Sequence, residues 1–156
     1  MATQYLVKLA VTLRPIWHLD PPQIRLGIND NLSEISLTET TTVNFEFESD
    51  QSCELIVELL NKQDSDTVPA QDLDKAVIVE SISFFGINDP RFVWAGVYEP
   101  RYPEPWATQQ QTQGVVLKQQ LSPHNYLGWN GKWTLTFDVP VFTWIHQTQN
   151  LGWIYR

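Results

Sequence analysis

The sequence predicts an all-β fold, a single antiparallel β-sandwich of jelly-roll type with seven to nine short strands and little helix. Three observations predict it. Apolar residues recur with period two along most of the chain, and turn-forming clusters punctuate those runs. No stretch of about ten residues carries the 3.6-residue period of an amphipathic helix. The 156 residues are read as one domain, 1–156. A chain of that length buries roughly two-thirds of its unfolded surface.

Taken in order, "QYLVKLAVTLR" places Tyr5, Val7, Leu9, Val11 and Leu13 on one face. Short strands follow in "QIRLGI" and "SEISLT", separated by the turn-prone Asn29–Asp30–Asn31. "TTVNFEFES" turns Val43, Phe45 and Phe47 inward and Asn44, Glu46 and Glu48 outward. "CELIVELLN" pairs Cys53, Leu55, Val57 and Leu59 on one face. Its Leu and Glu are good helix formers, but the flanking turns and neighbouring strands decide for β. "KAVIVESISFFG" reads as a long β-branched strand to Gly86, and "RFVWAGVY" as the next strand after the "NDP" turn. "KWTLTFDV" sets Trp133, Leu135, Phe137 and Val139 opposite Thr134, Thr136 and Asp138. The C-terminal "VFTWIHQTQNLGWIYR" has room for a short helical turn after Pro140.

Two segments break the alternation. Residues 99–120 form a long Pro/Gln-rich loop containing Pro100, Pro103, Pro105 and a glutamine cluster. It reads as an ordered polyproline-like cover on one sandwich edge or as a partner-binding loop. "NKQDSDTVPAQDLDK" is an acidic connection between two strands.

Charge and composition exclude several functions. A net charge of −8 with Lys62, Lys75, Lys118 and Lys132 scattered singly argues against nucleic acid and against anionic membrane surfaces. Cys53 is the only cysteine, lies in an apolar run, and reads as a small buried hydrophobe. Neither a signal peptide nor an apolar stretch of about 18 residues is recognisable, which fits assembly in a cytoplasm. His18, His124 and His146 sit in different segments with no triad or metalloprotease pattern around them. There is no glycine-rich phosphate loop, so the chain is read as non-enzymatic.

Two constellations remain. Asn61, Asp64, Asp66, Asp72 and Asp74 offer hard oxygen ligands of the kind calcium takes, without the spacing of an EF-hand. A hydrophilic turn is the plain alternative. Among the aromatics, Trp133 stands on the inward face and reads as core. Trp129, in the "GWNG" turn, and Trp106 and Trp153 are divided between local packing and partner contact. Tyr102, in the proline-rich loop, joins them as a contact candidate.

Residues 55–145 carry a resemblance. The unit "LIVELLNKQDSDTV…DKAVIVESISFFGI", the proline-rich segment, and then "LGWNGKWTLTFDVPVFTWI" resemble small β-sandwich proteins of tailed bacteriophages, cyanophages among them. "LGWNGKW" is the most specific part. The resemblance implies a virion structural protein assembled in the host cytoplasm, foremost a capsid decoration or cement protein on the assembled head. Its implied partners are the major capsid protein, tail proteins or further copies of itself, gripped through Tyr102, Trp106, Trp129 and Trp153.

The same strand-loop-strand unit is similar, more faintly, to calcium-dependent xylan-binding modules. That similarity implies Ca²⁺ on Asp64, Asp66 and Asp74, although "NKQD" stands where those modules place an Asn-Asp pair. The alternative function is therefore a carbohydrate-binding module of a tail or fibre that recognises a host-surface glycan. A coplanar exposed aromatic pair beside the acidic loop would favour the glycan. Aromatics scattered over several interfaces would favour cement.

Overall fold

The computed structural model describes residues 3–148, so Trp153 lies outside the described residues. Two antiparallel sheets face each other. The first has the order β4 (Thr41–Ser49), β1 (Tyr5–Ile16), β6 (Ala76–Phe84), β7 (Ile87–Asn88), with β9 (Tyr126–Leu127) also pairing β6. The second runs β3 (Asn31–Ser36), β2 (Gln23–Ile28), β5 (Cys53–Leu59), β10 (Gly131–Phe137), β8 (Val97–Pro100). This is the expected antiparallel β-sandwich, with ten strands among the described residues rather than seven to nine, two of them only two residues long.

The alternating faces meet as the pattern requires. Val7, Leu9, Val11 and Leu13 of β1 and Val77, Val79, Ile82 and Phe84 of β6 are buried against Leu55, Val57 and Leu59 of β5. Trp133, Leu135 and Phe137 of β10 complete the layer, and Cys53 is a buried free thiol. Each such side chain contributes about 1.5–3 kcal/mol by leaving water. The core is closed by α3 (Val141–Thr148), whose Trp144 ring meets Phe84, Phe92 and Phe137 at 5.6, 6.2 and 6.0 Å.

Two expectations are corrected. "RFVWAGVY" is not one strand: α1 (Pro90–Trp94) precedes β8. Asp89 caps it by accepting from the Arg91 amide at 2.9 Å, and Pro90 occupies the first helical position, where its missing N–H costs nothing. The 99–120 segment is not polyproline-like throughout, because Trp106–Thr112 form the helix α2. Its prolines stop short of a glutamine run that suits a helix, and Ala107 is buried.

Strand register sets the position of everything that follows. Leu59 at the end of β5 pairs Gly131 at the start of β10, and Gly131 pairs Pro100 at the end of β8. Ala76 at the start of β6 pairs Ile16 at the end of β1. The acidic connection, the loop into α2 and the "GWNG" turn therefore emerge together at one end of the sandwich.

Candidate functional site

At that end lies a pocket of about 730 Å³. Its lining includes Trp106, together with Lys62, Asp64 and Asp74 of the acidic connection and Tyr126, Trp129 and Asn130 of the "YLGWNGKW" stretch.

Trp129 is placed by its backbone. Its amide donates to the Tyr98 hydroxyl at 3.0 Å, and that hydroxyl donates in turn to the Trp129 carbonyl. Tyr98 is itself fully buried and stacks on His124, with ring centroids 5.3 Å apart. Burial pushes its phenol up, so it stays neutral and keeps its proton to donate. The next residue, Asn130, clasps the acidic connection. Its Oδ1 accepts from the Lys62 amide at 2.7 Å, its Nδ2 donates to the Lys62 carbonyl at 3.0 Å, and its own carbonyl accepts from the Arg101 amide. Gly131 follows because β10 runs tight against β8 here: a Cβ would stand 2.5 Å from the Glu99 carbonyl oxygen.

Three aromatics form the apolar wall. The rings of Trp106 and Trp129 are 5.8 Å apart and tilted by 38°. Tyr102 meets Trp129 edge-on at 5.1 Å and Trp106 at 6.1 Å, while its hydroxyl donates to the Lys118 carbonyl at 2.6 Å. Tyr102 thus braces the wall from outside the pocket lining. A ring held between two aromatic faces needs about 7–8 Å from face to face, twice the van der Waals contact distance. The two indoles stand closer than that. Both are half-buried and tilted, so they are not the coplanar exposed pair that would mark glycan binding; together they make one contiguous apolar surface in the pocket lining.

The polar wall is a connected network. Asp74 Oδ1 accepts from Lys62 Nζ at 2.6 Å and from the Thr67 hydroxyl at 2.8 Å, and Asp74 Oδ2 accepts from the Tyr126 hydroxyl at 2.7 Å. Burial pushes the Asp74 carboxyl up, but the hydrogen bonds from Lys62, Tyr126 and Thr67 and the ammonium charge outweigh it and hold the group below its usual range. Tyr126 is pushed up, first by burial and then by its bond to Asp74 and the negative charges of Asp74 and Asp72. Lys62 Nζ also donates to the Gly128 carbonyl at 2.5 Å.

The three aspartates of the calcium expectation are not brought together as a cage. Asp66 is 2% exposed; its Oδ2 accepts from the Gln63 amide at 2.7 Å and faces Lys75 Nζ at 3.3 Å. Asp74 is committed to Lys62, Thr67 and Tyr126, and Asp64 sits exposed on the pocket rim. Among the described residues no three His, Cys, Asp or Glu side chains form a group that would hold a metal ion. Calcium does not fit a donor set whose two inner carboxylates already face ammonium groups.

Sequence reasoning named Trp106, Trp129 and Tyr102, and these converge. It passed over Lys62, Asn130, Tyr126 and Tyr98. The asparagine before glycine in "WNGK" signals a tight turn, but nothing local reveals that its side chain reaches residue 62.

No protein-family model and no curated protein matches the chain. Among solved structures it is similar to vCBM60 in complex with galactobiose, at 12% identity and a TM-score of 0.49 over 82% of this chain and 96% of that one. A selenomethionine form of vCBM60 is similar at 12% identity and a TM-score of 0.49, over 85% of this chain and 90% of that one. The latter is described with a circular permutation that links two families of calcium-dependent carbohydrate-binding modules.

Proposed function

We propose that this chain is a non-enzymatic glycan-binding module, and that the pocket at the loop end of the sandwich takes a neutral oligosaccharide. The observation that carries the reading is one concave site lined both by the tilted Trp106–Trp129 pair and by Lys62, Asp74 and Tyr126 of the polar network. A pyranose has the same two-sided chemistry. Its C–H face lies on an aromatic platform, and its hydroxyls take donors and acceptors at the edge. The charges lining the pocket are largely satisfied within the chain, Lys62 by Asp74 and Arg101 by Glu58, which suits an uncharged polyol better than an acidic one.

A capsid cement protein would spread its contact aromatics over several faces. Tyr102, Trp106 and Trp129 gather at one site, and this cluster supports recognition of a ligand there, although Trp17, Trp94 and Phe142 are exposed outside the pocket lining. Together with the tailed-phage resemblance, this reads as a tail or fibre component that recognises host-surface glycan.

Binding to an array of neutral oligosaccharides tests the proposal. We expect wild-type protein to bind a defined subset, and Trp106→Ala and Trp129→Ala each to weaken that binding about tenfold or more. Failure of the wild type to bind any glycan, or undiminished binding by both variants, would contradict it.

A further inference from the structure

We infer that the pocket recognises its sugar through the Lys62 ammonium in the role a metal ion would play, so that binding needs no calcium. The inference rests on the glycan-binding reading above and fixes the chemistry of its polar side.

The acidic connection carries its own cations. Lys75, 1% exposed, lies against Asp20 Oδ1 at 2.7 Å, Asp66 Oδ2 at 3.3 Å and the Asn61 carbonyl at 3.3 Å. Two carboxylates and a backbone carbonyl around one positive charge are the ligand types a hard cation selects. Here Lys75, the residue just before β6, supplies that charge. It holds the connection to the loop after β1, which is fastened again where His18 Nε2 donates to the Asp66 carbonyl at 2.7 Å.

Lys62 is the second tethered cation, and it lines the pocket. An ammonium has three donors. Asp74 Oδ1 and the Gly128 carbonyl take two of them, and Lys62 Nζ has no other hydrogen-bond partner among the described residues. One N–H is left for a ligand oxygen. The side chain is 14% exposed, enough to be reached and enclosed enough for the charge to be felt.

Asp74 turns this donor into half of a pair. Its second oxygen accepts the hydrogen bond that the Tyr126 hydroxyl donates, which leaves the phenolic oxygen free to accept. A donor at Lys62 and an acceptor at Tyr126, joined through one carboxylate, match neighbouring sugar hydroxyls that accept at one oxygen and donate from the next. A calcium ion at Asp74 would have to displace the hydrogen bonds from Lys62, Thr67 and Tyr126.

The test repeats the neutral-glycan array in excess EDTA and in excess CaCl₂, and separately titrates CaCl₂ alone into chelator-stripped protein by calorimetry with melting curves. We expect the same glycans bound equally in both buffers, no heat of calcium binding, and no calcium-dependent rise in Tm. Lys62→Met should weaken binding about tenfold or more in both buffers. The double variant Lys62→Met/Asp74→Asn leaves no unpaired carboxylate, so it separates lost recognition from lost folding. It should melt as a folded protein and still bind weakly. Glycan binding only in CaCl₂, a calcium-induced rise in Tm, or a double variant that binds like wild type would each overturn the inference while leaving the glycan reading in place. No glycan bound in either buffer would remove both.

Discussion

Trp129 and Trp133 are four residues apart and have opposite fates. Trp133 is fully buried, with its indole N–H donating to the His124 carbonyl at 2.8 Å, whereas Trp129 keeps its ring on a pocket wall. Period-two alternation identified the first, because β10 continues through it. It was silent on the second, which belongs to a turn. Burial separates the lysines in the same way. Lys75 offsets the Asp66 carboxylate inside the fold, so Lys75→Met should cost about 3–5 kcal/mol of unfolding free energy by leaving that charge uncompensated. Urea titration measures this, and an unchanged midpoint would contradict it.

Asp74 gives a pH signature. Its folded-state pKa lies below the unfolded value of 3.8, so its contribution to stability is fully present above that value. The contribution is lost as pH falls through the lower, folded pKa. We predict that Asp74→Asn flattens the acid limb of the Tm–pH curve below about pH 4. Acid limbs of equal slope in wild type and variant would refute this.

At the scale of elements, β8 and β10 approach closely, and Gly96 just before β8 lies against the core. A Cβ at Gly96 would stand 1.9 Å from Cζ2 of Trp133, in a core with no slack to receive it. Gly96→Ala should therefore cost about 1–3 kcal/mol through overpacking. Equilibrium denaturation with an unshifted midpoint would rule that out. The helices show where local pattern stops being informative. Strands with a buried face were legible, since alternation in "TTVNFEFES" and "KWTLTFDV" directly reports a half-buried sheet. The five-residue α1 is too short to show a period, and its Asp89–Pro90 start reads equally well as a turn. Prolines masked α2, although they end before its glutamines begin.

At the scale of the molecule, the site is a product of register. The turn carrying Trp129, the connection carrying Lys62 and Asp74, and the segment leading to Trp106 are far apart in sequence. They meet because β5, β6, β8 and β10 begin or end at one end of the sandwich. The residue types were therefore legible and their convergence was not. An acidic run looks like a calcium loop until the fold delivers Lys62 and Lys75 to its carboxylates.

The most direct test of sugar binding at this pocket is an NMR titration that follows the indole N–H signals of the seven tryptophans as an array-selected oligosaccharide is added. We predict that the Trp106 and Trp129 signals shift together and saturate with one affinity, while Trp133 and Trp144 in the core stay in place. Shifts confined to the exposed Trp17 or Trp94, or no indole response to any bound glycan, would contradict glycan recognition at this site.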